Sequence, residues 1–264
     1  MPSSFSNEHR LYLSAIKKHK YIVISARILL FVIFLAAWEV TTRIGIIDSF
    51  IFSSPSRIVK CFISLASDGT IFGHMWATIY ETLICFSIVL TGGMLIAILM
   101  WRFCFIYEIA DPYLVLLNSL PKSALAPVLI VWLGNNTKTI VVAAVSVAVF
   151  GAILSIYTGF METDKEKIKL IQTLGGNKRH ILFKLVIPSS VPTIINTMKV
   201  NLGLSLVGVI IGEFLAAKRG LGYLIIYGSQ VFKMDLVLLS IVILCILSIL
   251  LYQIIRIVEK KFVS

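Results

Sequence analysis

Charged residues are scarce in this chain of 264 residues. Asp, Glu, Lys and Arg make up 14% of it, whereas 58% of the residues are hydrophobic and the mean hydropathy is +0.96. Soluble domains usually have about 25% charged residues. The chain therefore has more apolar surface than a soluble single domain would cover, which predicts an integral membrane protein.

Cysteine and histidine are few, and neither is arranged as a set of metal ligands. The four cysteines form no CxxC pair, and the four histidines form no HExxH pattern. We interpret the cysteines as apolar filler residues. They are Cys61, Cys85, Cys104 and Cys245. The sequence predicts no metal and no cofactor bound by this chain.

A phosphate-binding loop is also missing. The chain contains no GxxxxGK[ST] motif, and none of its 16 glycines is followed by lysine. If the protein uses ATP to move a solute against its concentration gradient, another chain must bind and hydrolyse the ATP. The net charge of +11 is dispersed among segments that flank apolar stretches. It therefore indicates membrane topology rather than nucleic-acid binding.

Long apolar runs are abundant. Six stretches of about 20 residues could each cross the ~30 Å hydrocarbon core as a helix. They are residues 21–41, 78–101, 112–133, 139–160, 194–217 and 236–257. The first is too long for a secretory signal and has no small-residue cleavage site, so we interpret it as an uncleaved span. The predicted fold is an all-α polytopic membrane protein with a tail, residues 1–20, and one transmembrane domain, residues 21–264.

Lys and Arg between the spans predict the orientation, because cytoplasmic segments retain positive charge. The segments on the side of both termini hold 14 of the 24 basic residues, the segments on the other side hold 7, and 3 lie within spans. Both termini are therefore predicted to be cytoplasmic.

One long polar segment, residues 161–192, interrupts the apolar second half of the chain. Thr163 and Glu166 have the spacing of a capping box, so a helix is predicted to begin there. Gly175 and Gly176 predict its end. The pattern alone leaves two interpretations open, a docking element for a cytoplasmic partner or an ordinary loop on the lipid headgroups.

A second helix is predicted after the glycines, capped by Asn177 and running to about Val186. Its apolar residues have helical spacing, and its basic residues lie largely elsewhere. The apolar set is Ile181, Leu182, Leu185 and Val186, and the basic set is Lys178, Arg179, His180 and Lys184. Pro188 and Pro192 predict the end of this helix, because proline cannot donate a helix amide.

Small residues and one short apolar segment complete the prediction of packing. Gly203, Gly208 and Gly212 in the fifth span predict close approach of a neighbouring helix. The apolar segment 223–232 is too short to cross the membrane. We expect it to dip into the outer interface and to help define the mouth of a pore.

Four motifs occur in order between about residues 38 and 262. They are Phe52-Ser-Ser-Pro55-Ser-Arg-Ile-Val; Asp111-Pro112 with Asn118-Ser-Leu-Pro121-Lys-Ser-Ala-Leu-Ala-Pro127 and Trp132-Leu-Gly134; Gly175 with Pro188 thirteen residues later; and Val209-Ile-Ile-Gly-Glu213-Phe-Leu with Arg219-Gly-Leu-Gly-Tyr-Leu-Ile225. In these motifs the chain resembles the permease subunit of bacterial ABC importers. The resemblance is to the nitrate, sulfonate and taurine type, which includes permeases for thiamine-precursor pyrimidines and riboflavin.

The resemblance implies a transport subunit that forms half of the solute pathway and is not itself an enzyme. It also implies separate ATPase subunits that use ATP and Mg, an extracytoplasmic solute-binding protein, a homodimer and residence in the bacterial inner membrane. Closure of the ATPase subunits would pull the cytoplasmic loops together and switch the pathway between outward-open and inward-open states.

In the family, the third motif is a cytoplasmic Glu-Ala-Ala loop that inserts into a cleft of the ATPase. Its three positions fall on Lys169, Leu170 and Ile171, so lysine stands where the family has glutamate. Glu166 lies on the same helical face and could supply a displaced carboxylate or pair with Lys169. The resemblance implies seven residues that couple to the ATPase. They are Glu166, Lys169, Leu174, Gly175, Gly176, Arg179 and Pro188.

Polar residues within the spans are a second set of candidates, because a charge in hydrocarbon is costly unless it faces a cavity or a partner. Pro121 and Pro127 are predicted to break the third span and to expose backbone groups that need protein or water. Six residues are candidates for lining the pathway. They are Asn118, Pro121, Lys122, Pro127, Lys199 and Glu213. Arg27 and Glu39, near the ends of the first span, are interpreted as snorkelling.

The main alternative is a secondary transporter driven by an ion gradient, with Glu81, Lys199 and Glu213 as ion or proton sites. Carboxylates within the spans are few, and no inverted repeat is apparent. A membrane enzyme is a third alternative, but no nucleophile and base pair is visible.

Overall fold

The computed structural model describes residues 7–263, and it describes side chains from residue 12 to residue 260 except those of residues 123, 126 and 258. All regular structure in this part of the chain is helical. The helices are α1 (Asn7–Ile44), α2 (Ser49–Phe52), α3 (Pro55–Ser67), α4 (Thr70–Arg102), α5 (Cys104–Ser119), α6 (Lys122–Leu133), α7 (Thr137–Met161), α8 (Lys165–Thr173), α9 (Lys178–Ile181), α10 (Ile187–Ser189), α11 (Val191–Ala216), α12 (Leu221–Gln230) and α13 (Met234–Val263), with a π-helical turn, Leu182–Val186, between α9 and α10.

Among the described residues, five helices are long and apolar enough to cross a membrane. They are Tyr12–Ile44 within α1, Thr70–Arg102, Thr137–Met161, Val191–Ala216 and Met234–Ile257 within α13. The remaining predicted crossing is formed by two consecutive helices, α5 and α6. Leu120 between them has extended backbone, because Pro121 disfavours the helical conformation of the residue before it. The break predicted at Pro121 is confirmed, whereas the break predicted at Pro127 was wrong, because Pro127 lies inside α6.

The centre of the bundle is α7, which packs against α4 and α11. A Cβ added at Gly208 of α11 would lie 2.7 Å from Cα of Ala144, and one added at Gly212 would lie 2.9 Å from Cγ2 of Ile140. The close approach predicted for these two glycines is confirmed. At Gly203 an added Cβ would meet nothing within 4 Å.

The first span stands apart from this centre. None of its most apolar window is buried within the chain, and α1 contacts the rest mainly through α2 and α3. Glu39 accepts hydrogen bonds from the backbone nitrogen and Oγ of Ser56, at 3.0 and 2.8 Å. Glu39 therefore joins α1 to α3, and α3 is joined to α13 by an ion pair of 2.9 Å between Arg57 and Asp235.

The four cysteines are free, and Cys104 and Cys245 are exposed. Cys85 is fully buried, and Cys61 packs against the core beneath α3. Burial raises the pKa of the Cys61 thiol above its usual value, which makes the thiolate less accessible.

The start of α8 differs from the prediction. Asp164 is the capping residue, and its Oδ1 accepts a 2.8 Å hydrogen bond from the backbone nitrogen of Glu166. Thr163 does not cap the helix because its side chain is buried, with Oγ1 3.2 Å from Oγ of Ser189. The capping box expected from Thr163 and Glu166 was therefore wrong.

The second predicted helix begins at Asn177 as predicted, but the helical chain does not end at Pro188. Oδ1 of Asn177 accepts a hydrogen bond from the backbone nitrogen of His180, which confirms the cap. The chain then continues through the π-helical turn and α10, past Pro188. The wide turn accommodates this proline, whose ring would otherwise meet the carbonyl four residues earlier. Pro192 lies in the first turn of α11, where a missing amide is tolerated.

Candidate functional site

The segment 161–192, called the polar loop below, presents a mixed surface at one end of the bundle. Its buried side is apolar as predicted, with Ile181, Leu182 and Val186 in the core. Its open side also carries large apolar side chains. They include Leu170, Leu174 and Phe183, which are 59%, 78% and 65% exposed. We call these three residues the apolar triad.

The glycine turn between α8 and α9 has two distinct requirements. Gly175 has φ of +78°, a conformation that favours glycine, and an added Cβ would meet nothing within 4 Å. At Gly176 an added Cβ would collide with Ile171. The turn therefore needs glycine at the first position for its backbone and at the second for space.

Other predicted coupling residues of the polar loop are exposed as well. Glu166, Lys169, Arg179 and Pro188 are all exposed. Within the described part of the chain, Glu166 and Lys169 form no ion pair with each other. The pairing suggested by their spacing is therefore absent, and both side chains are available to a partner.

The opposite end of the bundle, called the far end, holds the short helix α12. The amides of its N-cap residue and of its first two residues each donate to a side chain of another helix. The backbone nitrogens of Gly220, Leu221 and Gly222 donate to Nδ1 of His74, Oγ1 of Thr78 and Oε2 of Glu213, at 3.1, 2.8 and 2.6 Å. These three bonds fix the start of α12, which with 10 residues is too short to cross a membrane, as predicted.

Glycine is required where α12 meets α11. Gly220 has φ of +124°, and a Cβ at this position would collide with the carboxylate of Glu213. A Cβ at Gly222 would lie 2.8 Å from Oε2 of the same residue. Glu213 is 1% exposed, so its carboxylate is closed in by these two glycines and by Thr78.

A cavity of about 370 Å³, the far-end cavity, opens beside this helix start. It lies between the start of α4, the turn before α7 and the segment after α11. Its polar lining includes Tyr80, Glu81, Asn135, Asn136, Lys218 and Arg219. Glu81 is 4% exposed, and its Oε2 has no hydrogen-bond partner in the described part of the chain.

The break in the third crossing places two pathway candidates together. Nζ of Lys122 donates to the backbone oxygen of Asn118, which lies in the last turn of α5. The side chain of Asn118 points at α7, with Oδ1 3.5 Å from the Cβ position of Gly151. Pro121 and Pro127 are exposed on a surface that the described part of the chain does not cover.

The two remaining pathway candidates have partners within the chain. Nζ of Lys199 forms an ion pair of 2.7 Å with Oε1 of Glu259 in α13, and Glu213 binds Thr78 and Gly222. Sequence reasoning missed His74, Thr78 and Glu259. No local motif marks them, because each forms its hydrogen bond with a residue more than 50 positions away in the sequence.

Comparison with known proteins now identifies the class. Residues 89–264 match the family of binding-protein-dependent transport system inner membrane components. That match covers about two thirds of the chain, and the chain belongs to this family. It is a multi-pass membrane protein and an ABC importer permease.

Three curated relatives are similar over most of their length. The formylaminopyrimidine transport permease protein ThiX of Halalkalibacterium halodurans is 29% identical, over 74% of this chain and 77% of the relative. The putative aliphatic sulfonates transport permease protein SsuC of Bacillus subtilis is 24% identical, over 90% and 86%. The taurine transport system permease protein TauC of Escherichia coli is 22% identical, over 87% and 85%.

One solved structure shows the same fold. A chain of the MetNI methionine ABC transporter in an inward-facing conformation superposes with a TM-score of 0.64 and 17% identity. The match covers 71% of this chain and 93% of that chain.

Proposed function

We propose that this chain pairs with a second copy to form the solute pathway of an ATP-driven importer. Separate ATPase subunits would hydrolyse ATP, and an extracytoplasmic binding protein would deliver the solute. The relatives support this proposal because they are transport permeases. One chain contributes a single helix bundle, which is half of the pathway. The second copy in a homodimer would supply the other half.

The observation that carries the proposal is the exposed apolar triad on the polar loop. Apolar side chains on a rigid turn, surrounded by basic residues, are typical of a docking surface rather than of a solvated loop. The ATPase would contact this surface together with Glu166, Lys169 and Arg179. Gly175, Gly176 and Pro188 would set the shape of the loop.

The proposed orientation places the polar loop and both termini in the cytoplasm. The loop lies between α7 and α11, and an even number of crossings puts it on the same side as both ends of the chain. The excess of Lys and Arg in these segments supports this orientation.

Proline and polar residues in the broken third crossing would line the pathway. Asn118, Lys122 and the exposed Pro121 and Pro127 lie where the helix is interrupted, and interrupted helices line cavities in many transporters. The solute is proposed to be a small molecule of the nitrate, sulfonate or taurine kind or a vitamin precursor. The relatives named for sulfonates, taurine and formylaminopyrimidine support this range.

The alternative of a secondary transporter is not favoured. Two of its three candidate ion sites are already occupied, since Lys199 is paired with Glu259 and Glu213 is hydrogen-bonded by Thr78 and Gly222. Membership of an ABC importer family also argues against it.

The test is affinity purification of the chain from membranes of its native host. An ATPase subunit should co-purify with the unaltered chain and should be lost with Leu174→Glu, which places a charge in the apolar triad. The matched control is Phe232→Glu, an exposed apolar residue at the far end that should retain the ATPase. Uptake by the chain alone in proteoliposomes, driven by an ion gradient without ATP, would contradict the proposal.

A further inference from the structure

The first span carries basic side chains that have no counter-charge in the described part of the chain. Lys17, Lys20 and Arg27 are exposed on α1, and none of them belongs to an ion pair among the described residues. The rest of the bundle does not cover them, because α1 contacts it mainly through α2 and α3, at the other end of the helix. These three cations therefore face the surroundings of the protein.

The length of α1 gives the depth of each cation in the membrane. Glu39, which bonds Arg43 and the start of α3, marks one end of the span. A helix rises 1.5 Å per residue, so Lys20 lies about 28 Å from Glu39, close to the ~30 Å of the hydrocarbon core. Lys20 is therefore near the opposite headgroup layer, and Arg27 lies about 10 Å deeper. An arginine at that depth is costly unless its guanidinium reaches an anion.

The three cations share one side of α1. Seven residues make about two turns of a helix, so Arg27 follows Lys20 on the same side, and Lys17 lies about one turn before Lys20. Apolar side chains continue this side into the span. Ile24 and Phe31 each lie about one turn beyond a cation, and both are exposed. A row of cations that continues into apolar side chains matches a headgroup phosphate with acyl chains beneath it.

We propose that Lys17, Lys20 and Arg27 bind the phosphate of an anionic phospholipid, whose acyl chains lie along Ile24 and Phe31. A guanidinium can bind two phosphate oxygens at once, and basic residues next to a span attract anionic headgroups. An anionic lipid gives Arg27 the counter-charge that the described part of the chain lacks. A zwitterionic headgroup would instead bring its own cation close to three others. This site is separate from the candidates for the solute pathway.

The experiment is native mass spectrometry of the purified full chain. The chain is released from micelles that contain equal amounts of phosphatidylglycerol and phosphatidylcholine with the same acyl chains. The unaltered chain should retain phosphatidylglycerol preferentially. Lys20→Gln and Arg27→Gln should each lower this preference about fivefold, the contribution of one cation near an anionic lipid surface. Both side chains are exposed, so the substitutions remove no packing within the bundle.

The matched control is Lys18→Gln. Lys18 is also exposed, but it is two residues before Lys20 and therefore lies on the opposite side of α1. This variant changes the net charge by the same amount and should leave the lipid preference unchanged. An equal loss of preference in Lys18→Gln and Lys20→Gln would overturn the proposal, because it would indicate diffuse attraction to all the basic residues.

Three further results would also overturn the proposal. The first is equal retention of the two lipids by the unaltered chain. The second is loss of a dimer in Arg27→Gln with unchanged lipid preference, because Arg27 would then face a second copy of the chain. The third is displacement of phosphatidylglycerol by inorganic phosphate, because the site would then bind a free anion. The proposed transport function would stand in each case if the ATPase still co-purifies with the chain.

Discussion

Thr78 and Glu213 are 135 residues apart in sequence and form a buried hydrogen bond, with Oγ1 of Thr78 donating to Oε1 of Glu213 at 2.7 Å. The same oxygen of Thr78 accepts from the backbone nitrogen of Leu221 at 2.8 Å. One hydroxyl therefore joins the start of α4, the end of α11 and the start of α12. The position of α12 depends on this contact, and α12 closes the far end of the bundle over the core residues of α13.

Replacing Thr78 by valine should loosen α12. The substitution keeps the shape but leaves the Glu213 carboxylate without one donor and the Leu221 amide without its acceptor. Two buried unsatisfied groups should cost about 2 to 4 kcal/mol. The measurement is thermal unfolding in detergent, together with the labelling rate of a cysteine placed at Ser229 in α12, which should rise.

The control for this variant is Thr91→Val. Thr91 is on the same helix, is exposed, and bonds only to carbonyls of its own helix. It should change neither the unfolding temperature nor the labelling rate. Similar behaviour of the two variants would show that Thr78 does not position α12.

Gly208→Ala should lower the stability of the fold and Gly203→Ala should raise it, although both glycines lie in α11. At Gly208 the new methyl would press on the backbone of Ala144 in α7, and overpacking of this kind costs about 1 to 3 kcal/mol. At Gly203 there is open space, and alanine favours a helix by up to about 1 kcal/mol relative to glycine. Thermal unfolding of the two variants checks this, and equal destabilisation would contradict the helix contact.

Gly175→Val should leave the protein inserted but uncouple ATP hydrolysis from uptake. Valine is disfavoured at φ of +78°, so the turn between α8 and α9 would change shape. Gly175→Asn is the matched comparison, because asparagine tolerates this conformation better, and it should retain most of the uptake. Solute uptake and ATPase rate of the reconstituted importer are to be measured together. Unchanged uptake with Gly175→Val would refute the role of this turn.

Lys199 and Glu259 should show a favourable coupling energy in a double-mutant cycle. Both side chains are partly buried and the ion pair is short, so Lys199→Met or Glu259→Gln alone leaves a partly buried charge unpaired. The double variant should be more stable than the sum of the single effects predicts, by about 0.5 to 3 kcal/mol. Additive effects would show that the pair does not hold α11 to α13.

Features encoded by neighbouring residues were predicted well. The long apolar runs predicted the spans, Pro121 predicted the break in the third crossing, and the cap at Asn177 was also correct. The cap at Thr163 failed because burial against Ser189 removed its hydroxyl from the helix start. The end predicted at Pro188 failed because a π-helical turn carries the chain past the proline.

Features made by residues distant in sequence were not predicted. Lys199 and Glu213 were recognised as unusual charges in apolar spans, but their partners Glu259 and Thr78 were not, since nothing in the local sequence pairs residues 60 or 135 positions apart. Within the apolar triad, Leu174 was among the predicted coupling residues, whereas Phe183 was not singled out, because its exposure is known only from the packing.

The sequence by itself determined that this protein lies in a membrane, which helices cross it and where the polar loop interrupts them. These properties depend on hydrophobicity and local backbone preference, which each segment carries alone. Only the tertiary structure decided which charges are neutralised and which remain free, because that depends on the atoms that packing brings within a few ångströms. Glu213 and Lys199 acquired partners in this way, while Lys218 and Arg219 form no ion pair in the described part of the chain and line one cavity.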